Sequence, residues 1–265
     1  MRLLNALGRR IAAYLSRPRG DGGQVATSSC ENLAATLRKG DVLLVEGTSL
    51  FSSAVKYLTQ STWSHAALFV GDALGQSSAD GEPLQLVEAD INDGVRGMPL
   101  SAYWNLHTRI CRPVGLTPRE LNELVAYAIA RIGHQYDLKN IWDLARYLMP
   151  TPPVPRRWRR KLLSLGSGDP TRAICSSLIA QAFEHIEYPI LPELYLEGLQ
   201  TDSAQRREWL HIRHHSLYAP RDFDVSPYFE VVKPKLARGF DHHALDWADT
   251  VRLKALDLDG PHLPA

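Results

Sequence analysis

Trp63-Ser64-His65-Ala66-Ala67-Leu68-Phe69-Val70-Gly71 is an apolar run with an imidazole at its head and the turn signal Gly71-Asp72 at its foot. Ala66 to Val70, bounded in this way, reads as a short buried β-strand. His65 at its first residue is held by a rigid element while its ring faces the open edge of a sheet. A histidine there is either a structural residue or a proton carrier, and the second role needs a partner that orients the ring.

The next strand signal supplies candidates. Leu84-Gln85-Leu86-Val87-Glu88-Ala89-Asp90 alternates as far as Glu88, then breaks at Asn92-Asp93-Gly94. If this run pairs antiparallel with the 65–71 strand, Glu88 reaches the His65 edge and can fix the ring's tautomer. Asp90 shares a face with Glu88 and is a second candidate. For both, a solvated surface carboxylate is the competing reading.

Further along, Asp169-Pro170-Thr171-Arg172-Ala173-Ile174-Cys175-Ser176-Ser177-Leu178-Ile179-Ala180-Gln181-Ala182-Phe183 carries helical spacing through Leu178, Ile179, Ala182, Phe183 and Ile186. Asp169 or Thr171 can cap its start, and Pro170 is tolerated in a first turn. Cys175 falls in or near turn one, where unpaired N–H groups and the positive end of the helix dipole favour a thiolate. It also precedes Leu178 and Ile179 on the apolar side, so burial in the core is the alternative.

Four stretches together resemble the circularly permuted papain-like amidases of the YaeF/YiiX type, relatives of the NlpC-type cell-wall hydrolases. They are Gly40-Asp41-Val42-Leu43-Leu44-Val45, the Trp63–Gly71 run, Val87-Glu88-Ala89, and Ile174-Cys175-Ser176-Ser177-Leu178. The histidine strands come first and the cysteine helix last, which is the permuted order. The resemblance implies Cys175 as nucleophile, His65 as general base and Glu88 as the residue that orients it. Gly133-His134-Gln135-Tyr136-Asp137 is similar to the family's segment before the cysteine helix, so Tyr136 and Ser176 are the expected oxyanion or supporting residues. The stretch Tyr218–Phe229 also fits. The departures lie between Trp142 and Gly168, a long and basic segment.

The implied fold is α+β, a circularly permuted papain-like, NlpC-type arrangement in which an antiparallel sheet packs against helices that include the nucleophile helix. Strands are expected at 42–46, 65–70, 84–89, 108–113 and 228–232. Helices are expected at 31–38, 50–58, 117–132, 138–148 and 171–187. The 117–132 helix opens on the capping box Thr117-Pro118-Arg119-Glu120. The domain reading is an arm at 1–27, a catalytic domain at 28–240 with a basic, proline-rich insertion at 149–168, and a tail at 241–265.

A chain of 265 residues with 45% hydrophobic content can bury a full core. The net charge of +1 argues against a nucleic-acid reader, which shows a stronger basic excess. Cys30, Cys111 and Cys175 are odd in number and scattered, fitting neither a disulfide framework nor a zinc ribbon; a cytoplasmic, reducing home is expected. No run approaches the roughly 20 apolar residues needed to span a bilayer.

The first residues set Leu3, Leu4, Leu7, Ile11, Tyr14 and Leu15 on one stripe, with Arg2, Arg9, Arg10, Arg17 and Arg19 around it. Such a helix suits peripheral contact with an anionic membrane or packing against the globule. Pro155–Lys161 is a second basic run, either a solvated face or a headgroup contact. Histidines gather at His211, His214 and His215 and at His242 and His243, but nothing completes a ligand set, so neither metal nor cofactor is assigned.

The function expected is a cysteine hydrolase cleaving a peptide or peptidoglycan-like amide, or an acyl ester, through an acyl-enzyme. An acyltransferase, or a lipid- or small-molecule-binding protein on the same fold, is the alternative.

Overall fold

The computed structural model describes residues 28–90, 93–134, 174–191, 193–197, 207–211, 215 and 218–234. The expected arm at 1–27, the helix at 138–148, the insertion at 149–168, Tyr136 and the tail at 241–265 lie outside these residues. The chain divides into two compact units, Met1–Pro234 and Lys235–Ala265, and every described residue belongs to the first.

Elements follow in the order α1 (Cys30–Thr36), β1 (Val42–Val45), α2 (Leu50–Thr59), β2 (His65–Phe69), β3 (Leu84–Asp90), β4 (Gly94–Pro99), β5 (Thr108–Pro113), α3 (Pro118–Ile129), α4 (Ile174–His185), β6 (Glu193–Glu197), β7 (Arg207–His211), α5 (Pro220–Val225) and β8 (Phe229–Val232). Six strands form one antiparallel sheet in the order β4-β3-β2-β1-β5-β8, and β6 pairs with β7 in a separate hairpin. The class is α+β, as expected.

All five expected strands form within a residue or so of their expected bounds. The sequence reading missed β4, the β6–β7 hairpin and α5. The expected helix at 50–58 runs to Thr59, while three others stop sooner than expected: α1 at Thr36, α3 at Ile129 and α4 at His185. Thr117 and Glu120 make the anticipated reciprocal cap.

Side-chain alternation assigns the two faces of the sheet. Val42, Leu44, Ala66, Leu68, Val70, Val87, Ala89 and Cys111 point to one face, beneath Leu124 and Val125 of α3, Leu178, Ile179, Ala182 and Phe183 of α4, and Phe223 of α5. Leu43, Val45, Ala67, Phe69, Leu86 and Ile110 point to the other, beneath Leu33 of α1, Leu37, and the 3-10 turn Leu100–Tyr103. Strand β1 lies between β2 and β5 and is buried throughout. That explains why Gly40–Val45 reads as a continuous apolar run after Asp41.

Asp41, almost fully buried, is tied by Arg112 through Nε to Oδ1 at 2.8 Å and Nη2 to Oδ2 at 2.7 Å. The same guanidinium donates to the Thr36 carbonyl at 2.9 Å, fastening α1 to β5. Gly40 precedes it at φ +90°, a backbone conformation that favours glycine, and a Cβ there would also press on Leu121 Cδ1 at 2.5 Å.

Phe183 anchors α4. Its ring meets Phe229 at 5.1 Å, Tyr188 at 5.4 Å and Phe223 at 6.2 Å, and it is fully buried. Phe183→Ala is expected to cost about 3–5 kcal/mol, read as a lower urea midpoint at unchanged m-value. A loss below about 1 kcal/mol would mean that the aromatic cluster does not hold α4 on the sheet.

Candidate active site

His65 opens β2 across from Val45, and Glu88 of β3 stands across from Ala67. Two residues on one strand share a face, so His65 and Glu88 are diagonal neighbours, a separation that two long side chains can span. They do: His65 Nε2 lies 2.5 Å from Glu88 Oε2. The small Ala67 opposite Glu88 leaves room for this reach. The Glu88 side chain is 5% exposed and the His65 ring 23%, so the acid is sealed while the ring keeps an open side.

Two further groups hold the acid. Tyr103 donates its hydroxyl to Glu88 Oε2 at 2.6 Å. Arg96 of β4, directly across from Glu88 in the ladder, donates Nε to Oε1 at 2.9 Å and brings Nη2 to 2.8 Å of it. Neither residue was singled out from the sequence. Glu88 is therefore not a solvated surface group, and it, not Asp90, contacts His65. Asp90 instead accepts from the Asp93 N–H at 3.1 Å and lies 3.8 Å from Arg96.

Burial by itself would raise the Glu88 carboxyl. The charge of His65, the hydrogen bonds from His65 and Tyr103, and the charge of Arg96 outweigh it and hold the group down at about 2.

Cys175 is the second residue of α4; its side chain lies outside the described residues. The helix's direction follows from its neighbours. Just beyond its C-terminus, Tyr188 places its hydroxyl on the Val114 N–H and carbonyl and on the Tyr228 carbonyl, beside the β5 end at Pro113. At its start, Ser176 Oγ donates to the Tyr218 carbonyl at 2.6 Å, immediately before α5. From α5, Arg221 donates to the Thr59 carbonyl at 2.8 Å, and Asp224 accepts from Trp63 Nε1 at 3.0 Å and from Arg109 at 2.6 Å. Thr59, Trp63 and Arg109 all belong to the sheet end at which His65 begins β2, since Val45 pairs with both His65 and Thr108. The helix start thus points to that end.

Faces differ, however. The α4 apolar residues pack against Ala66 and Leu68, whereas His65 and Glu88 alternate onto the Tyr103 side. Ser176 is fully buried and spends its hydroxyl on Tyr218, which makes it a brace for the helix start.

The other cysteines contrast with Cys175. Cys111 is buried in the sheet, and burial first, then the nearby Asp224 and Asp41 charges, push its thiol up to about 12 despite Arg109. Cys30 opens α1, whose Leu33 packs on the same face of the sheet as Tyr103 and the His65 pair.

His215 bonds Glu184 at 2.9 Å; the His211 side chain, His214, His242 and His243 lie outside the described residues. Among the described residues no group of three His, Cys, Asp or Glu side chains could hold a metal ion. Among them, too, no helix is long and apolar enough to cross a membrane.

No family model matches the chain, and no curated protein matches its sequence. Among solved structures the chain is similar to the metalloprotein YiiX from Escherichia coli O157:H7. The identity is 15% and the TM-score 0.43, over 76% of this chain and 99% of that one. A likeness this loose decides neither activity nor site; those rest on the geometry above.

The carboxylate makes stability depend on pH. Glu88 titrates near 4.5 when unfolded and about 2 when folded. Its contribution is complete above the unfolded value and is lost as pH falls toward the folded one. Urea midpoints of the wild type are expected to fall more steeply than those of Glu88→Gln between about pH 5 and about pH 3. Parallel falls would show that the folded state does not hold this carboxylate ionised.

Proposed function

We propose that the protein is a cysteine-dependent hydrolase of the permuted papain-like type, acting on an amide or an acyl ester through Cys175, His65 and Glu88. The observation that carries this reading is the sealed carboxylate against a half-open imidazole, at the sheet end toward which the Cys175 helix points.

Glu88 engages Nε2, so the proton on that nitrogen is donated to the carboxylate and Nδ1 is the basic nitrogen. His65 Nδ1 takes the Cys175 proton, and the thiolate attacks the substrate carbonyl to form a C–S bond. Collapse of the tetrahedral intermediate breaks the C–N or C–O bond, and the leaving amine or alcohol takes the proton back from His65. Water then attacks the thioester with His65 as base, releasing the acid and restoring the thiol. Backbone N–H groups at the α4 start would meet the oxyanion, at about 3 kcal/mol per donor. Ser176 braces that turn, and Tyr136 is the further donor suggested by the sequence.

Peptide-like amide and lipid acyl ester use the same steps up to the acyl-enzyme. The basic stripe of Arg2 to Arg19 and the run at Pro155–Lys161 would bring the enzyme to an anionic membrane surface, which suits a bilayer-borne acyl group. An acyl acceptor other than water would make the same enzyme a transferase.

With a 4-nitrophenyl acyl ester as probe, the wild type is expected to release nitrophenolate and to carry the acyl mass on Cys175. Cys175→Ala should lose turnover by at least about 1,000-fold at an unchanged unfolding curve, whereas Cys30→Ala and Cys111→Ala retain it. Equal acylation of folded Cys175→Ala overturns the assignment. A stable adduct with no release would favour a binding protein on this fold.

A further inference from the structure

Glu88 is gripped from two elements that the proposed reaction does not itself use. Arg96 comes from β4, donating Nε to Oε1 at 2.9 Å and bringing Nη2 into ion-pair contact with it at 2.8 Å. Tyr103 comes from the turn after β4 and shares Oε2 with the His65 ring. Oε2 is thus held by the His65 ring and the Tyr103 hydroxyl, and Oε1 by the Arg96 Nε hydrogen bond with Nη2 in ion-pair contact. A carboxylate so engaged cannot rotate about its terminal torsion without breaking contacts on both oxygens.

The charges around it are uneven. From β3 come Glu88 and Asp90; from the turn before β4 comes Asp93, bonded to Arg96; from β4 comes Arg96 alone; Tyr103 adds a neutral hydroxyl. Arg96 thus faces three carboxylates, and the His65 ring shares one of them, Glu88. Across β2, the ladder partner of His65 is the apolar Val45.

We infer that Arg96 and Tyr103 are positioning residues that set the working state of His65 through Glu88. Tyr103 and the Arg96 fork lock the carboxylate in the direction of the ring. The Arg96 charge offsets the acidic cluster, which lowers the pH at which His65 gives up its proton and so readies Nδ1 as a base. This inference rests on the role proposed for His65, but its first test does not require turnover.

The His65 side chain would be titrated by nitrogen-15 NMR in the full chain, its signal assigned by loss in His65→Gln. Arg96→Gln leaves the carboxylates unbalanced and is expected to shift the His65 midpoint upward. Arg96→Lys keeps the charge without the fork and should restore the midpoint toward the wild-type position. An unmoved midpoint in folded Arg96→Gln overturns the charge role; should that variant not fold, a midpoint in Arg96→Lys displaced downward does the same.

Tyr103→Phe removes a donor and no charge. With the 4-nitrophenyl ester, kcat is expected to fall about 5- to 10-fold at unchanged KM, the pattern of a group felt only in the transition state. An unchanged kcat removes Tyr103 from the scheme. Failure of Cys175 to acylate would overturn the hydrolase reading while leaving the His65 titration to decide the Arg96 contact separately.

Discussion

A carboxylate sealed inside a sheet is the constraint around which this molecule is arranged. Glu88 sits on β3 with 5% of its side chain exposed, next to Leu86 and across from Ala67. Left alone there it would take up a proton, since desolvation of an unpaired carboxylate is worth several kcal/mol. It stays ionised because the β3–β4 register sets Arg96 opposite it, the 3-10 turn swings Tyr103 over it, and the head of β2 brings His65 to it. The three donors arrive from three separate segments. Loss of the β4 register would strand the charge, so the fold and the site stand or fall together.

Strand parity sharpens the geometry any reaction must respect. His65 alternates with Ala67 and Phe69 onto the Tyr103 side, while α4 lies on the side of Ala66 and Leu68. A side chain on α4 cannot reach through the hydrogen-bonded ladder. The proposed contact between Cys175 and His65 would have to be made around the end of the sheet, beyond the last rung at Val45–His65. Two features lie at that rim. His65 is the first residue of its strand, where a ring can turn past the rim. The Trp63–Asp224–Arg109 network, with Arg109 stacked at 5.0 Å over Trp63, anchors the chain just ahead of it. Polar ties from α5 to Thr59, Trp63 and Arg109 then fix the position of the α4 start relative to the rim.

Period-two patterns and turn residues made the buried strands legible, because β1 and the body of β2 are apolar runs with little else to be. The diagonal reach from His65 to Glu88 followed once antiparallel pairing was assumed. Strand β4 escaped because Gly94-Val95-Arg96-Gly97-Met98-Pro99 has two glycines, a proline and low strand propensity. Its cue was the Asp93-Gly94 pair, a hairpin signal directly after an alternating strand. Missing β4 meant missing Arg96, whose role exists only in the register that faces it with Glu88. Tyr103 had no cue at all, since nothing local tells a tyrosine in a 3-10 turn from any other core aromatic. The β6–β7 pair alternates in Glu193–Glu197 and Arg207–His211, but nine residues of sequence separate the two strands, more than the roughly two to five of a common hairpin loop.

Cysteine chemistry in this chain is decided by address. Cys111 is a sheet residue with apolar neighbours, and its thiol is pushed to about 12 by burial and by the Asp224 and Asp41 charges. At neutral pH a thiol so placed is a small hydrophobe that completes the packing under α5. Near the start of a helix the same side chain meets the opposite field, because unpaired backbone N–H groups stabilise negative charge. Acidic residues beside Cys111 serve the Arg109 and Arg112 ties that hold β5, so their effect on the thiol is a by-product of structure. The His65 pair, by contrast, stands at the rim where a helix start is aimed, and its acid is bound at once by His65, Tyr103 and Arg96. A buried ion network of this cost is hard to account for by packing alone. Its natural use is to hold an imidazole in one orientation and one tautomer.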